Sequence, residues 1–187
     1  MKTVDLISFS AIPVSFRWEL GKVHVFSDSP ADFCSNFKHI LKESGAEGFF
    51  FWDPGAGALE IELIKVLLEK RIDCFHGGLN FGLKGLPRIM DYAHPVWMLN
   101  CDPDEDIEIT SWKISLRACF ISRKAIERIG FIEDSFNTLD CAALELGHRY
   151  ITSGVIIRHI PGLIKGIHKT NIPFSDELLF VYFRFGL

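Results

Sequence analysis

The stretch Gly48-Phe49-Phe50-Phe51-Trp52-Asp53-Pro54-Gly55 decides the fold class that this sequence predicts. Its four consecutive aromatic residues are typical of a strand that is buried on both faces, as in a parallel sheet covered by helices on both sides. Pro54 and Gly55 then impose a turn, so Asp53 is expected at the carboxyl end of this strand.

The segments around this strand alternate between strand and helix patterns. Short apolar runs predict further strands at residues 4–9, 23–26, 72–75, 118–121 and 155–160. Capping residues and glycine stops predict helices at residues 30–45, 59–70, 123–129 and 138–154. Because strands alternate with helices, the sequence predicts a single α/β domain with a mainly parallel sheet and helices on both faces.

Size and charge limit the classes of function. A chain of 187 residues, 48% of them hydrophobic, falls within the range of one domain with a full core. With 20 Lys and Arg against 24 Asp and Glu, the net charge is −4, so no summed positive field attracts phosphate backbones. We therefore expect no nucleic-acid partner.

The cysteines and the amino terminus indicate a cellular compartment. The five cysteines are odd in number and form no C-x-x-C pair, which argues against a disulfide framework or a zinc knuckle. The amino terminus carries Asp5 and lacks the apolar region of a secretory signal. No stretch approaches the roughly 18 to 20 apolar residues that span a bilayer. We expect a cytoplasmic protein, and any membrane contact would be peripheral and at the inner face of the membrane.

Asp53 is the first candidate site residue. In an open parallel sheet, ligands bind beyond the carboxyl ends of the strands. A carboxylate at that edge would hold Mg²⁺ or Mn²⁺ against a diphosphate, because hard cations share oxygen ligands with phosphate. The alternative is an ordinary Asp-Pro-Gly turn with no ligand.

Later segments carry a resemblance to a known family. The stretch from Arg117 to Phe136, RACFISRKAIERIGFIEDSF, resembles the acceptor-side segment of family-two glycosyltransferases, in which a small-residue strand and a short helix precede a Gly-Gly-Phe-Asp-Glu-Phe-like sequence. The helix that contains Asp140, followed by Pro161 and His168, is similar to that family's acidic helix and its downstream proline and histidine.

The resemblance implies a fold and an activity. The fold would be GT-A-like, with a reduced nucleotide-binding half over residues 1–75 and an acceptor half with a carboxyl-terminal tail over residues 76–187. The activity would be inverting transfer of a sugar from a nucleotide-diphosphate donor to a hydroxyl of a glycan or lipid-linked acceptor, in surface polysaccharide or glycan biosynthesis.

The resemblance also implies roles for individual residues. Asp53 and Gly55 stand where the family has its metal-binding Asp-x-Asp, with Gly55 in place of the second aspartate. Asp53 would bind Mg²⁺ or Mn²⁺ beside the diphosphate, with His168 as a further ligand. Asp140 would be the catalytic base, and Glu145 is its rival because the spacing to the helix-closing glycine fits it better. The alternatives without catalysis are that Asp140 only stabilises the positive end of its own helix, and that His168 is a surface histidine that binds no metal.

Two other classes of function stay open. A non-catalytic GT-A-like binding or scaffold module is favoured by Gly55 and by the absence of a Pro-Thr-Tyr-Asn-like amino-terminal motif. A small hydrolase is the third class, although no Gly-x-Ser-x-Gly is present.

Two other stretches depart from known binding motifs. The run from 102 to 106 departs from a calcium loop and is expected to be a solvated loop. The glycines from 77 to 85 depart from a P-loop.

Three further stretches remain ambiguous between ligand contact and packing. The glycines from 77 to 85 fit either a mobile acceptor loop or a simple connection. Trp97 and Trp112 fit either sugar stacking or the core. The aromatic tail from 174 to 187 fits a cover for the core, a homodimer contact or a membrane-surface contact.

Overall fold

A computed structural model describes residues 3–26, 29–77, 107–166 and 172–186, and the backbone of residues 79–80 and 168–169. The strands are β1 (Val4–Ser8), β2 (Val23–Val25), β3 (Gly48–Trp52), β4 (Ala58–Leu59), β5 (Cys74–His76), β6 (Leu79–Asn80), β7 (Ile109–Thr110), β8 (Ala118–Ser122), β9 (Ile157–His159), β10 (Ile164–Lys165) and β11 (His168–Lys169). The helices are α1 (Pro30–Glu43), α2 (Ile61–Glu69), α3 (Arg123–Ile129), α4 (Leu139–Thr152) and α5 (Phe174–Phe185).

A seven-stranded sheet has the order β2-β1-β3-β8-β5-β9-β7. The pairings of β1 with β2, of β1 with β3 and of β5 with β9 are parallel. Strands β8 and β7 run against their neighbours, so the other five of the seven strands share one direction. The predicted mainly parallel sheet is confirmed.

Strand β3 shows why helices cover both faces. Its five residues are all buried, and its side chains alternate between two apolar clusters. Phe49 and Phe51 pack in the cluster that contains the inner faces of α1, α3, α4 and α5. Phe50 and Trp52 pack in the opposite cluster, which contains the inner face of α2. The aromatic run is therefore a strand buried on both sides, as its sequence predicts.

The stretch between β1 and β2 packs on the face of the sheet that carries α2. Phe16 lies 4.4 Å from Trp52, measured between ring centroids, and Trp18 lies 5.6 Å from Phe50. The indole N–H of Trp18 donates to the Val4 carbonyl at 2.8 Å. This stretch thus packs against the same apolar cluster as α2.

The helix boundaries follow from local chemistry. The Ser122 hydroxyl accepts a hydrogen bond from the Ala125 amide at 3.2 Å, and α3 ends at Gly130 with a positive φ of 98°. These are the cap and the stop that the sequence predicts. Ser29 occupies the N-cap position of α1 as predicted, but its side chain makes no capping hydrogen bond.

The carboxyl-terminal tail is helix α5, and it covers the core. Phe180 is fully buried, and its ring lies 5.9 Å from Trp112 and 5.8 Å from His148. Trp112 is itself a core residue at 3% exposure. No helix in the described part of the chain is long and apolar enough to cross a bilayer. Trp97, residues 102–106 and most of the predicted acceptor loop, residues 78 and 81–85, lie outside the described residues.

Candidate functional site

Three charged side chains meet at the edge of the sheet where β3 ends and β8 begins. Asp53 directly follows β3, and Arg117 directly precedes the antiparallel strand β8. The Asp53 amide donates to the Arg117 carbonyl at 2.9 Å, which places the two residues side by side. Parallel strands β1, β3, β5 and β9 end at this same edge, where ligands bind in open α/β sheets.

One guanidinium group contacts two carboxylates there. Arg117 Nη1 donates to Asp53 Oδ2 at 3.0 Å, and Arg117 Nε donates to Asp140 Oδ1 at 3.3 Å. The side chains of Asp53, Arg117 and Asp140 are 16%, 11% and 11% exposed, so the group is shielded yet reachable from solvent. Asp53 and Asp140, which the sequence predicts as site residues, are therefore brought together.

The start of α4 positions Asp140. Asp140 lies in the first turn of α4, and the Thr138 hydroxyl caps the helix by accepting from the Cys141 amide at 3.3 Å. The buried Asp176 carboxylate accepts hydrogen bonds from the amides of Asn137 and Thr138 at 2.9 and 3.0 Å. It also accepts from their side chains, both at 2.7 Å. Helix α5 thus fixes the turn from which Asp140 reaches the edge.

Gly55 serves the turn after β3. The Gly55 amide donates to Asp53 Oδ1 at 2.9 Å, and a Cβ on Gly55 would lie 3.2 Å from that same oxygen. The Asp-Pro-Gly turn is therefore present, and the same carboxylate also takes part in the ion pair. A role for Gly55 in binding a donor or cofactor stays a prediction.

The backbone of His168 is held near the Asp53 turn. Strand β10 pairs with β4, and the chain packs so tightly there that a Cβ on Gly166 would lie 2.3 Å from the Ala56 carbonyl. His168 follows Gly166 by two residues, within about 7 Å along the chain, and pairs in β11 with β6. Its side chain lies outside the described residues, so its role as a metal ligand stays a prediction.

Glu145 lies away from this edge, in the packed interface between α4 and α5. Its side chain is fully buried, and its carboxylate pairs with Arg149 Nη2 at 2.9 Å and with Arg184 Nη2 at 2.8 Å. Of the two carboxylates that the sequence leaves open as the base, Asp140 is the one found beside Asp53 and Arg117. The geometry favours a structural role for Glu145.

Sequence reasoning missed a pair of histidines at the same edge. His76 and His159 end the adjacent parallel strands β5 and β9, in register, with ring centroids 5.4 Å apart. His76 is fully buried, and neither of its ring nitrogens has a hydrogen-bond partner among the described residues. Burial, with a smaller contribution from His159, holds the pKa of His76 well below its usual value. Burial also lowers the pKa of His159, so both imidazoles are neutral near pH 7.

Sequence reasoning also gave Arg117 no role. A basic residue directly before a buried strand is the signal that would identify it, but only once that strand is known to lie beside β3. A cavity of about 320 Å³ opens next to the guanidinium. It is lined by Arg117 and Asp140, by the preceding turn of α4, and by the start of α1.

The described side chains do not supply the ligand set of a divalent cation. No group of three or more His, Cys, Asp and Glu side chains within the described ranges is arranged to hold a metal. Asp53 Oδ2 and Asp140 Oδ1 both accept from Arg117, and Asp53 Oδ1 accepts from Gly55. With Arg117 in place, the two carboxylates already share a cation.

The mixed α/β architecture, with its mainly parallel seven-stranded sheet, is GT-A-like in comparison with solved structures. No protein-family model matches the chain, and no curated protein matches it by sequence. Among solved structures, A197 from STIV is similar with a TM-score of 0.50 at 10% identity, over 92% of this chain and 98% of that chain. GalNAc-T7 with UDP, GalNAc and Mn²⁺ is similar with a TM-score of 0.50 at 9% identity, over 87% of this chain. The match spans 36% of the GalNAc-T7 chain, and likeness at this level of identity shows the fold.

Proposed function

We propose that the protein is a glycosyltransferase that moves a sugar from a nucleoside-diphosphate donor to a hydroxyl acceptor with inversion. The observation that carries this proposal is the convergence of Asp53 and Asp140 on Arg117, at the carboxyl edge of a GT-A-like sheet. Residues far apart in the chain thereby line one edge where ligands bind in this class of fold.

In the proposed reaction, Asp140 acts as the general base. The acceptor hydroxyl oxygen attacks the anomeric carbon and forms the new glycosidic bond, while its proton passes to the Asp140 carboxylate. The bond between the anomeric carbon and the diphosphate oxygen breaks, and its electron pair leaves with the diphosphate. Because attack comes from the face opposite the leaving group, the configuration inverts.

Asp140 suits this role better than Glu145. The Asp140 side chain is 11% exposed and lines the cavity beside Arg117. Glu145 has no exposed surface, and two arginines hold its carboxylate. Within the described part of the chain, a sugar hydroxyl can therefore reach the Asp140 carboxylate but not the Glu145 carboxylate.

The donor and acceptor are proposed by chemical class. A UDP-sugar is the first donor to test, because GalNAc-T7, whose fold is similar, was solved with UDP and GalNAc. The acceptor would be a glycan or lipid-linked hydroxyl, in polysaccharide or glycan assembly in the cytoplasm or at the inner face of the membrane. The exposed side chains of Phe174, Leu178 and Tyr182 on α5 would serve a peripheral membrane contact or a homodimer.

A divalent cation is the cofactor that the resemblance implies, with Asp53 and His168 as ligands. When bound, Mg²⁺ or Mn²⁺ would supply positive charge to the departing diphosphate. The described oxygens of Asp53 are engaged by Arg117 and Gly55, so the proposed steps here rest on the chain's own residues. That Asp53 and His168 are metal ligands remains a prediction.

The experiment combines donor binding with turnover. Calorimetry with a panel of UDP-, GDP- and dTDP-sugars, in Mn²⁺ or in EDTA, identifies the donor, and release of the nucleoside diphosphate measures transfer to water or to added acceptors. We expect Asp140→Asn to bind the donor and to lose turnover about 100-fold or more. The matched control is Glu127→Gln, which removes an exposed carboxylate from α3. Binding by no donor in either buffer would favour the scaffold module, in which Arg117 keeps both carboxylates paired.

A further inference from the structure

We propose that Arg117, whose guanidinium lies between Asp53 and Asp140, is the group that binds the donor diphosphate. Its guanidinium exchanges the Asp140 carboxylate for a phosphate oxygen when the donor binds. This inference rests on the proposed glycosyltransferase function, and it assigns the diphosphate-binding group of that site.

The backbone fixes Arg117 where the diphosphate would lie. The residue precedes β8, which is hydrogen-bonded on both sides, to β3 and to β5. Its carbonyl accepts from the Asp53 amide at 2.9 Å. The Cα of Arg117 therefore cannot move without disrupting the centre of the sheet, while its side chain reaches over the edge.

The contacts of the guanidinium with Asp53 and with Asp140 are unequal. The contact with Asp53 is 3.0 Å, whereas the contact with Asp140 is 3.3 Å and uses the single Nε–H. Charge-assisted hydrogen bonds of this kind usually measure about 2.7 to 2.9 Å. The Asp140 contact is the longer and weaker of the two, so it is the one that a ligand displaces at the lower cost.

A diphosphate suits the guanidinium as a competing partner. Arginine presents a planar set of donors that matches phosphate oxygens in pairs, and a diphosphate carries more negative charge than one carboxylate. The Phe9 ring lies 5.8 Å from the guanidinium carbon, so an aromatic face supports one side of the cation. The cavity of about 320 Å³ that Arg117 and Asp140 line gives the ligand its access.

The exchange couples donor binding to activation of the base. Once the guanidinium turns to the phosphate, the Asp140 oxygen that it held accepts the hydrogen bond of the acceptor hydroxyl instead. Asp53 keeps its contact with Arg117 and orients it. Donor binding would therefore precede productive acceptor binding, and the order of binding follows from a single side chain.

The test measures binding of inorganic pyrophosphate and of UDP by calorimetry, in EDTA and in Mn²⁺, with the wild-type chain and with Arg117→Gln, Arg117→Lys and Asp140→Asn. We expect Arg117→Gln to weaken both ligands by about tenfold or more, the effect of losing a charge-assisted hydrogen bond. Arg117→Lys should be intermediate, because a lysine supplies charge without the paired donors. The control is Arg158→Gln, which removes a surface arginine paired with Glu108 at 2.9 Å and should change neither affinity.

Asp140→Asn gives the opposite sign, which a purely structural role for Arg117 does not predict. Removal of the competing carboxylate should tighten pyrophosphate binding about fivefold, the effect of one unit charge about 4 Å away near water. This variant also keeps the test valid if Arg117→Gln unfolds, which circular dichroism would reveal. Equal pyrophosphate affinity in the wild type and Asp140→Asn would overturn the exchange.

The remaining outcomes separate this inference from the proposed function. Wild-type binding of UDP that needs Mn²⁺ and is unchanged in Arg117→Gln would overturn the role of Arg117 and leave a metal-dependent transferase standing. Binding of pyrophosphate through Arg117 without binding or turnover of any nucleotide-sugar would support the anion site and reject the transferase. Failure of the wild type to bind any diphosphate in either buffer would reject both.

Discussion

The Nη2 atom of Arg184 lies 2.8 Å from Oε1 of Glu145, a carboxylate with no exposed surface. Arg184 belongs to α5 and Glu145 to α4, so this ion pair joins the last helix to the helix that carries Asp140. Arg149 completes the arrangement from within α4 at 2.9 Å. Asp176 of α5 also binds the start of α4. Helix α5 therefore supports the candidate site through two sets of contacts.

Glu145→Gln should destabilise the fold without removing a catalytic group. Loss of the charge leaves two partly buried arginines without their shared partner, which should lower the free energy of unfolding by about 3 kcal/mol. Urea denaturation measures the change. Glu62→Gln, which removes an exposed carboxylate paired with Lys65, should stay within about 0.5 kcal/mol of the wild type. If folded Glu145→Gln loses turnover and keeps its stability, Glu145 rather than Asp140 is the base.

Asp176→Asn should loosen the first turn of α4. Four hydrogen bonds end on this fully buried carboxylate, and an amide cannot accept all of them. We expect a loss of about 2 to 3 kcal/mol in the free energy of unfolding. Hydrogen exchange should quicken at the amides of residues 137–141. Ser175→Ala, which removes a single exposed contact with Asn137 at 3.3 Å, is the control, and similar exchange in both variants would contradict the role of Asp176.

Stability should fall as the pH drops below about 6.5, the usual pKa of histidine. The unfolded chain takes up a proton on His76 there, whereas burial keeps the folded imidazole neutral because its pKa is lowered. Since the unfolded state binds more protons, the free energy of unfolding should decrease by about 1 kcal/mol per pH unit for this group. Urea denaturation at pH 7.5, 6.5 and 5.5 measures the slope.

The variant His76→Leu should flatten this pH dependence, and His39→Gln should leave it unchanged. His39 is 72% exposed on α1, so it serves as a control for the loss of a titrating imidazole. An unchanged slope in His76→Leu would show that other groups, such as His159, account for the pH dependence.

Gly57→Ala should disrupt the contact between the Asp53 turn and β10. Gly57 has a φ of 135°, and an added Cβ would lie 2.1 Å from the Lys165 carbonyl oxygen. We expect a loss of about 2 kcal/mol or more in the free energy of unfolding, because backbone must shift to make room. Gly45→Ala, with open space around the position, should have little effect. Equal melting temperatures of the two variants would show that the turn is not held as described.

Local chemistry made most of the fold predictable. The aromatic residues of β3 predict a strand buried on both faces, and Ser122 and Gly130 predict the start and the end of α3. Leu139 and Tyr150, which share one face of α4 at helical spacing, are both buried. Each of these features depends on residues close together in the chain, which is the range over which periodicity and capping operate.

Periodicity and capping do not predict contacts between segments that are far apart in the chain. No local signal places Trp18 against Phe50, and none shows that β8 lies next to β3 with Arg117 beside Asp53. For the same reason, the sequence left Asp140 and Glu145 as rivals. Both residues are acidic and lie on the same predicted helix, so the sequence does not separate them. Only their contacts with other segments show that Asp140 is accessible and that Glu145 is buried.

The insertion of β8 between β3 and β5 has a consequence for how the chain is made. During synthesis, residues 48–52 and 74–76 leave the ribosome long before residues 118–122, the strand that hydrogen-bonds to both in the described part of the chain. The edges of β3 and β5 that later pair with β8 therefore stay unpaired until residues 118–122 emerge. Nascent chains stalled before residue 118 should expose these edges to chaperones, and chains stalled well beyond it should not.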